Sequence, residues 1–155
     1  MKKRFSVFSS LLPLSLLGSL AHAAPMLEEV VVTAQLRAQS LQDVPVSVSA
    51  IGGEKMMEAG IAKIEDLQAY VPNFTMSESG IGTDIYIRGI GSGENQGFEQ
   101  SVGMYVDGIA YGRAQLARAP FLDLSRVEVL RGPQNILLGK NSIAGAISIQ
   151  TANPS

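Results

Sequence analysis

Apolar and polar side chains alternate with a period of two residues in several segments of the chain, a pattern that predicts half-buried β-strands. In the last of these segments Ile147 and Ile149 alternate with Ser148 and Gln150. In the first, Pro45 lacks a backbone donor, so we expect that strand at an edge of its sheet. The segments that alternate in this way, or that carry a run of β-branched residues, are 44–51, 84–90, 101–109, 127–130 and 144–150.

Three short segments between these strands have helical signals instead. In the second of them Ile64, Leu67 and Val71 lie at helical spacing. Pro72 ends this helix. The third follows Pro133, which suits the first position of a helix, and Gly139 can close it with a positive φ. The helices are predicted over 54–59, 63–70 and 134–138. The expected fold class is therefore α+β, a small mixed β-sheet of about four strands covered by short helices and long loops.

The first 23 residues have the order of charged, apolar and small residues found in a secretory signal peptide. Lys2, Lys3 and Arg4 precede an apolar run over 5–20, and the small residues end at Ala23. The run is too short for a membrane-spanning helix. We expect cleavage after Ala23, with a buried N-terminal helix as the alternative.

Removal of the signal peptide narrows the functions that the composition allows. The full chain has 12 Lys+Arg and 14 Asp+Glu, so losing three basic residues leaves a net charge of −5. The mature chain therefore has no basic patch for nucleic acid. It has no Cys, and the single His of the sequence lies in the signal peptide, which excludes Ser–His and Cys–His nucleophile pairs and the usual zinc ligand sets. We expect no enzyme, no metal site and no cofactor.

The first residues of the mature chain form an extended segment on a polar tether. Three consecutive valines in 27–34 favour an extended backbone, and 35–43 is polar. Such a segment can add itself as a strand to the sheet edge of a partner, with backbone hydrogen bonds giving affinity. An ordinary first strand of the domain is the alternative.

The stretch 126–150, RVEVLRGPQNILLGKNSIAGAISIQ, resembles the VEVLRGP…G…N…GGAI signature at the end of the plug domain of TonB-dependent outer-membrane receptors. The earlier string LQDVPVSVSA…LQAYVPN is similar to the front half of such plugs. The resemblance implies a signal peptide over 1–23, a TonB box with a flexible linker over 24–43 and a plug domain over 44–155. It implies a gating plug for energised uptake of a scarce nutrient, such as an iron–siderophore complex.

The resemblance also assigns candidate site residues. The energy-transducing protein TonB binds the TonB box from the periplasm. In this chain the box would be Glu28, Glu29, Val30, Val31, Val32, Thr33 and Ala34. Arg88 and Arg131, in the motifs IRG and LRG, would pair with glutamates on the inner wall of the receptor barrel. The loop 89–97 would face incoming substrate, a small molecule such as a metal chelate, with Ser92, Glu94, Asn95 and Gln96; a mobile connection without that role is the alternative.

The length departs from the resemblance, because a membrane barrel needs many further strands of ~9–11 residues. We therefore expect a fragment, a truncated reading frame or a separately encoded plug, located at the outer membrane, or in the periplasm if no barrel accompanies it.

Three alternatives compete with this interpretation. The first is a free-standing periplasmic module that engages TonB without a pore. The second is a small exported hydrolase that uses Asp107 and Glu128. The third is a phosphate-binding loop at Gly139-Lys140, but the earlier glycine has the wrong spacing and Asn141 replaces the required hydroxyl residue.

Overall fold

The computed structural model describes residues 31–32, 39–78, 82–93, 100–112 and 118–153. The strands in these residues form a five-stranded, a three-stranded and a two-stranded sheet. In chain order they are β1 (Val31–Val32), β2 (Gln39–Ser40), β3 (Ser47–Gly52), β4 (Phe74–Glu78), β5 (Thr83–Ile87), β6 (Ile90–Gly91), β7 (Val102–Val106), β8 (Ile109–Tyr111), β9 (Leu124–Arg131) and β10 (Gly145–Thr151).

The largest sheet has the strand order β3-β9-β10-β7-β8. Its middle strands are β9, which is antiparallel to β3 and β10, and β10, which is also parallel to β7. The mixed sheet expected from the sequence is confirmed, with five strands rather than about four. The strand predicted around Pro45 is an edge strand, and it begins two residues after that proline.

Two of the predicted strands are in fact hairpins. The segment predicted as one strand over 101–109 turns at Asp107-Gly108, and the segment 84–90 turns at Arg88-Gly89. Both turns have two residues, and φ is positive at all four positions. This is the type I′ geometry, whose twist matches that of paired strands. The strand β4 was not predicted; it pairs with β5 in the three-stranded sheet.

The helices are short, as predicted, and they cover the sheets. They are α1 (Gly53–Glu58), a 3-10 helix (Ile64–Ala69) and α2 (Asn135–Leu138). The 3-10 helix replaces the α-helix predicted over 63–70. The Asp66 carboxylate stabilises its start by accepting hydrogen bonds from the backbone N–H groups of Ala62 and Lys63, at 2.8 and 2.9 Å. Within the described part of the chain, no helix is long and apolar enough to cross a membrane.

One face of the five-stranded sheet packs against α1, the 3-10 helix and the three-stranded sheet to form the main core. The buried apolar residues of this core include Ile64, Leu67, Val71, Phe74, Ile87, Val127, Val129 and Ile147. The opposite face has a smaller cluster of Tyr105, Leu130 and Ala146, against which Val48 and Leu138 pack. The apolar set predicted at helical spacing, Ile64, Leu67 and Val71, is therefore confirmed as core.

Tyr105 links this second face to the α2 segment. Its hydroxyl donates a hydrogen bond of 2.7 Å to the Leu138 carbonyl. Its ring lies over Gly103, where an added Cβ would come within 2.8 Å of a ring carbon, so the position requires glycine. Burial raises the pKa of the Tyr105 phenol, while a hydrogen bond with the Ser142 side chain acts in the opposite direction.

Replacing Tyr105 by Phe tests this link. We expect Tyr105→Phe to lower the free energy of unfolding of the purified chain by about 1 kcal/mol at neutral pH, because the Leu138 carbonyl loses its partner. The folded state retains the phenolic proton above the pKa of the unfolded state, 10.0. The contribution of Tyr105 to the free energy of unfolding is therefore fully present below pH 10. It is lost as the pH rises through the pKa of the Tyr105 phenol in the folded state.

Urea unfolding at pH 8 and at about pH 11 would measure this effect. The difference between the two proteins should shrink at the higher pH. Tyr70→Phe is the control, since the Tyr70 hydroxyl makes a longer, exposed hydrogen bond of 3.3 Å to the Ala59 carbonyl. An equal difference between Tyr105→Phe and the unaltered chain at both pH values would contradict the assignment.

Candidate functional site

The predicted TonB box is described at two of its seven positions. Val31 and Val32 form β1, and they pair antiparallel with Ser40 and Gln39 of β2. The exposed fraction is 42% for Val31 and 1% for Val32. The remaining positions, Glu28, Glu29, Val30, Thr33 and Ala34, lie outside the described residues. The predicted linker therefore contains a strand, and this strand pairs with the box.

The two arginines singled out from the sequence lie close together. Arg88 occupies the first position of the turn between β5 and β6, with φ of 54°, and its backbone N–H donates a hydrogen bond of 2.8 Å to the Asn73 carbonyl. Arg131 ends β9, and its Nη1 donates a hydrogen bond of 3.4 Å to the Pro72 carbonyl. Adjacent residues, Pro72 and Asn73, thus hold both arginines. The Arg88 Nη1 is 3.7 Å from the position that a Cβ on Gly132 would take.

The arginine pair, Arg88 and Arg131, has capacity for an anionic partner. The Nε of Arg131 is buried and has no hydrogen-bond partner. Among the described residues, Arg118 pairs with Glu78 and Arg126 with Glu128, whereas neither Arg88 nor Arg131 forms an ion pair with a described carboxylate. Guanidinium groups bind carboxylates through charge-assisted, often bidentate hydrogen bonds. A carboxylate supplied from outside the described residues is the ligand that this arrangement fits.

The conformation of Arg88 strengthens this interpretation. Asn, Asp and Gly are the residues that type I′ turns prefer, because a longer side chain with positive φ is strained. The sequence places an arginine there, so the residue type is not the one that the turn geometry favours.

The predicted substrate loop is described only at its base. The backbone N–H of Ser101 donates a hydrogen bond of 2.5 Å to the Ser92 hydroxyl, and the Ser101 carbonyl accepts one of 2.8 Å from Ala144. Ser92 thus attaches the base of the loop to the residue that precedes β7. Glu94, Asn95 and Gln96 lie outside the described residues.

The enzymatic alternatives find no support in this geometry. Glu128 is fully buried at 0% exposure, with Oε1 2.6 Å from the Arg126 Nε, so a substrate cannot reach it. The Asp107 carboxylate accepts hydrogen bonds from the backbone N–H and hydroxyl of Thr151, at 2.9 and 2.8 Å. After Lys140 the chain enters β10 rather than the helix that a phosphate-binding loop requires. The described residues also contain no cluster of three or more His, Cys, Asp or Glu that could hold a metal ion.

Comparison with known families agrees with the fold. A family model described as the TonB-dependent Receptor Plug Domain matches residues 40–146, more than half of the chain. The chain belongs to the TonB-dependent receptor plug domain family. The matched region begins within β2 and ends at the second residue of β10, so it includes the other four strands of the five-stranded sheet completely.

The plug is similar to parts of much longer proteins. The iron-regulated outer membrane virulence protein of Vibrio cholerae is 35% identical over 132 residues, 80% of this chain and 20% of that protein. The vitamin B12 transporter of Vibrio vulnificus is 31% identical over 133 residues, 81% of this chain and 21% of that protein. The crystal structure of the ferric yersiniabactin uptake receptor from Yersinia pestis matches with a TM-score of 0.65 and 29% identity, over 71% of this chain and 17% of that chain. The plug spans about a fifth of the length of these relatives.

These matches confirm the family resemblance and the α+β plug fold. The similar proteins are receptors and transporters rather than enzymes. Two structural features of the candidate site were not predicted from sequence, namely the turn at Pro72-Asn73 that holds both arginines and the pairing of Val31-Val32 with Gln39-Ser40. The Pro-Asn dipeptide was a signal for the turn itself, since both residues favour turns, but not for its contacts with the two arginines.

Substitution of Arg88 tests whether its side chain serves the plug or a partner. We expect Arg88→Asn to raise the free energy of unfolding of the purified plug by roughly 0.5–1 kcal/mol, because Asn adopts positive φ with less strain. Arg88→Ala removes the same guanidinium without this advantage and should give no gain. Urea unfolding measures both variants. An Asn variant less stable than the unaltered plug would show that the guanidinium stabilises the plug itself.

Proposed function

We propose that this chain is the gating plug of a TonB-dependent receptor in the outer membrane, which takes up a scarce nutrient such as an iron–siderophore complex by energised transport. The observation that carries the proposal is the arginine pair. Arg88 reaches the turn at Pro72-Asn73 through its backbone and is exposed, whereas Arg131 reaches it through its side chain and is half-buried. A barrel wall that supplies carboxylates would pair with both guanidinium groups, neither of which forms an ion pair with a described carboxylate.

The proposed partners follow from this assignment. A barrel, in the same receptor or on a separate chain, supplies the carboxylates for Arg88 and Arg131. TonB binds the segment Glu28–Ala34 by strand addition, in which backbone hydrogen bonds supply affinity. The proposed division is a signal peptide over 1–23, the box and linker over 24–43 and the plug over 44–155.

The proposed substrate is a small molecule such as a metal chelate. Relatives named for hemin, vitamin B12 and ferric yersiniabactin support this class. Residues 92–96 belong to a loop whose base is fixed to both β7 and the start of β10 through Ser101. If substrate binds Glu94, Asn95 and Gln96, a resulting movement of the loop would be transmitted to the sheet through the base of the loop. In this role Ser92 holds the base of the loop.

The box assignment is tested by removing one backbone donor from it. We expect Val31→Pro in a receptor that carries this plug to abolish energised uptake, while substrate binding to whole cells stays nearly unchanged. Uptake and binding of the radiolabelled chelate, measured with and without an energy source, separate the two effects. Ser77→Pro, in β4, is the contrasting variant and should impair folding of the plug instead. Unchanged uptake by Val31→Pro would count against the box.

The arginine pair is tested in the same receptor. We expect Arg88→Asn combined with Arg131→Gln to loosen the plug, because the wall carboxylates lose both cationic partners. Entry of a large hydrophilic antibiotic through the receptor should increase, and the plug should become more sensitive to protease. Lys55→Gln removes an exposed positive charge from α1 and serves as the control. Permeability equal to that of the control would contradict the proposed contact.

A further inference from the structure

The pairing of β1 with β2 has a consequence for how the box is bound. β1 is part of the proposed box, and its backbone is already paired, Val31 with Ser40 and Val32 with Gln39. Val32 is also buried, at 1% exposure. A partner that adds a strand to the box needs the box backbone as its template. Part of that backbone is occupied by the plug itself.

We propose that Gln39–Ser40 acts as an internal competitor strand, which holds Val31–Val32 until TonB displaces it. This inference rests on the proposed function, because it regulates access to the proposed box. The strand β2 is polar and lies immediately before the body of the plug. In this proposal β2 stays attached to the plug body when TonB binds, whereas the box moves away from it.

The attachment of β2 supports its role as the stationary strand. The Ser40 carbonyl accepts a hydrogen bond of 3.0 Å from the backbone N–H of Asp43, which forms a turn directly after β2. Val44, the next residue, is buried. When the box leaves, β2 therefore remains fixed to the plug and stays available to pair again.

TonB must overcome both the burial of Val32 and the backbone pairing with β2, and that pairing is short. It consists of two residue pairs, and a short two-stranded ladder is only marginally stable in water. A partner strand that pairs along the whole box forms a longer ladder than β2 does. The competitor therefore lowers the affinity for TonB without preventing binding.

Two sets of proline substitutions break the same ladder and should have opposite effects. Val31→Pro removes a donor from the box itself, so it should weaken binding of TonB. Gln39→Pro combined with Ser40→Pro removes both donors from β2 and leaves the box intact, so it should strengthen binding. A role for these residues that was only structural would not give opposite signs.

The experiment measures the affinity of the purified chain for the periplasmic domain of TonB by titration calorimetry, together with amide hydrogen exchange at Val31 and Val32. We expect the double proline variant to bind roughly 3- to 10-fold more tightly, which corresponds to the loss of one backbone hydrogen bond. Its Val31–Val32 segment should also lose exchange protection. Gln39→Ala combined with Ser40→Ala keeps both N–H groups and should match the unaltered chain in both measurements.

A reversible crosslink keeps the proposal testable if the proline variant does not fold. The sequence contains no Cys, so Val31→Cys combined with Ser40→Cys introduces one cross-strand disulfide between directly opposed residues. The oxidised protein should bind TonB at least about 10-fold more weakly than the same protein after reduction. Equal affinities of the oxidised and reduced forms would overturn the proposal.

Two further results would also overturn it, and they differ from failure of the proposed function. Unchanged affinity of the double proline variant, with exchange protection lost, would show that TonB adds to the free edge of β1. Exchange at unprotected rates in the unaltered chain would show that the pairing is absent. Failure of TonB to bind the unaltered chain and both variants, with protection intact, would reject the box assignment and the competitor with it.

Discussion

The pairing of β9 along both of its edges is the constraint on which the rest of the plug depends. Seven residue pairs join β9 to β10 and six join it to β3. The side chains of Val127 and Val129 fill the main core from this strand, while Leu130 belongs to the cluster on the opposite face. Because the side-chain period of a strand is two, a slip of one residue would exchange these faces. The register of β9 therefore fixes the direction of every side chain on it, including Arg131 at its end.

The arginine pair is a product of this register and of a second strand connection. β9 positions Arg131 at the turn formed by Pro72-Asn73, and the hairpin of β5 and β6 positions Arg88 at the same turn. The two residues are 43 positions apart in the sequence, and each is positioned by backbone geometry. The two arginines are therefore brought to one turn by two independent strand connections.

Much of the plug could be predicted from the sequence because its strands have strong patterns. Ile147 and Ile149, alternating with polar residues, predicted β10, and the apolar set Ile64, Leu67 and Val71 predicted the buried side of the 3-10 helix. The turns were harder to predict, because period-two alternation continues through a two-residue turn without interruption. For that reason the alternation over 101–109 predicts a single strand, although Asp-Gly at 107–108 is a pair of residues that favours a turn.

The candidate site was predictable as individual residues but not as an arrangement. The motifs identified Arg88 and Arg131, whereas their common support at Pro72-Asn73 depends on contacts that no local pattern contains. The pairing of Val32 with Gln39 was missed for a related reason. Gln39 and Ser40 are polar and lie in a segment whose composition favours a linker, so tertiary pairing there overrides local propensity.

The parallel pairing of β7 with β10 has a consequence for how the plug reaches its folded state. Gly145 pairs with Val102, and the paired segments are separated by roughly forty residues of chain. Closing a loop of that length costs conformational entropy before any contact repays it. The tight hairpins form within microseconds, whereas a sheet that joins distant segments forms much more slowly. Until β10 docks, β7 and β9 each retain an unpaired edge, and the unfinished sheet is exposed to aggregation during that interval.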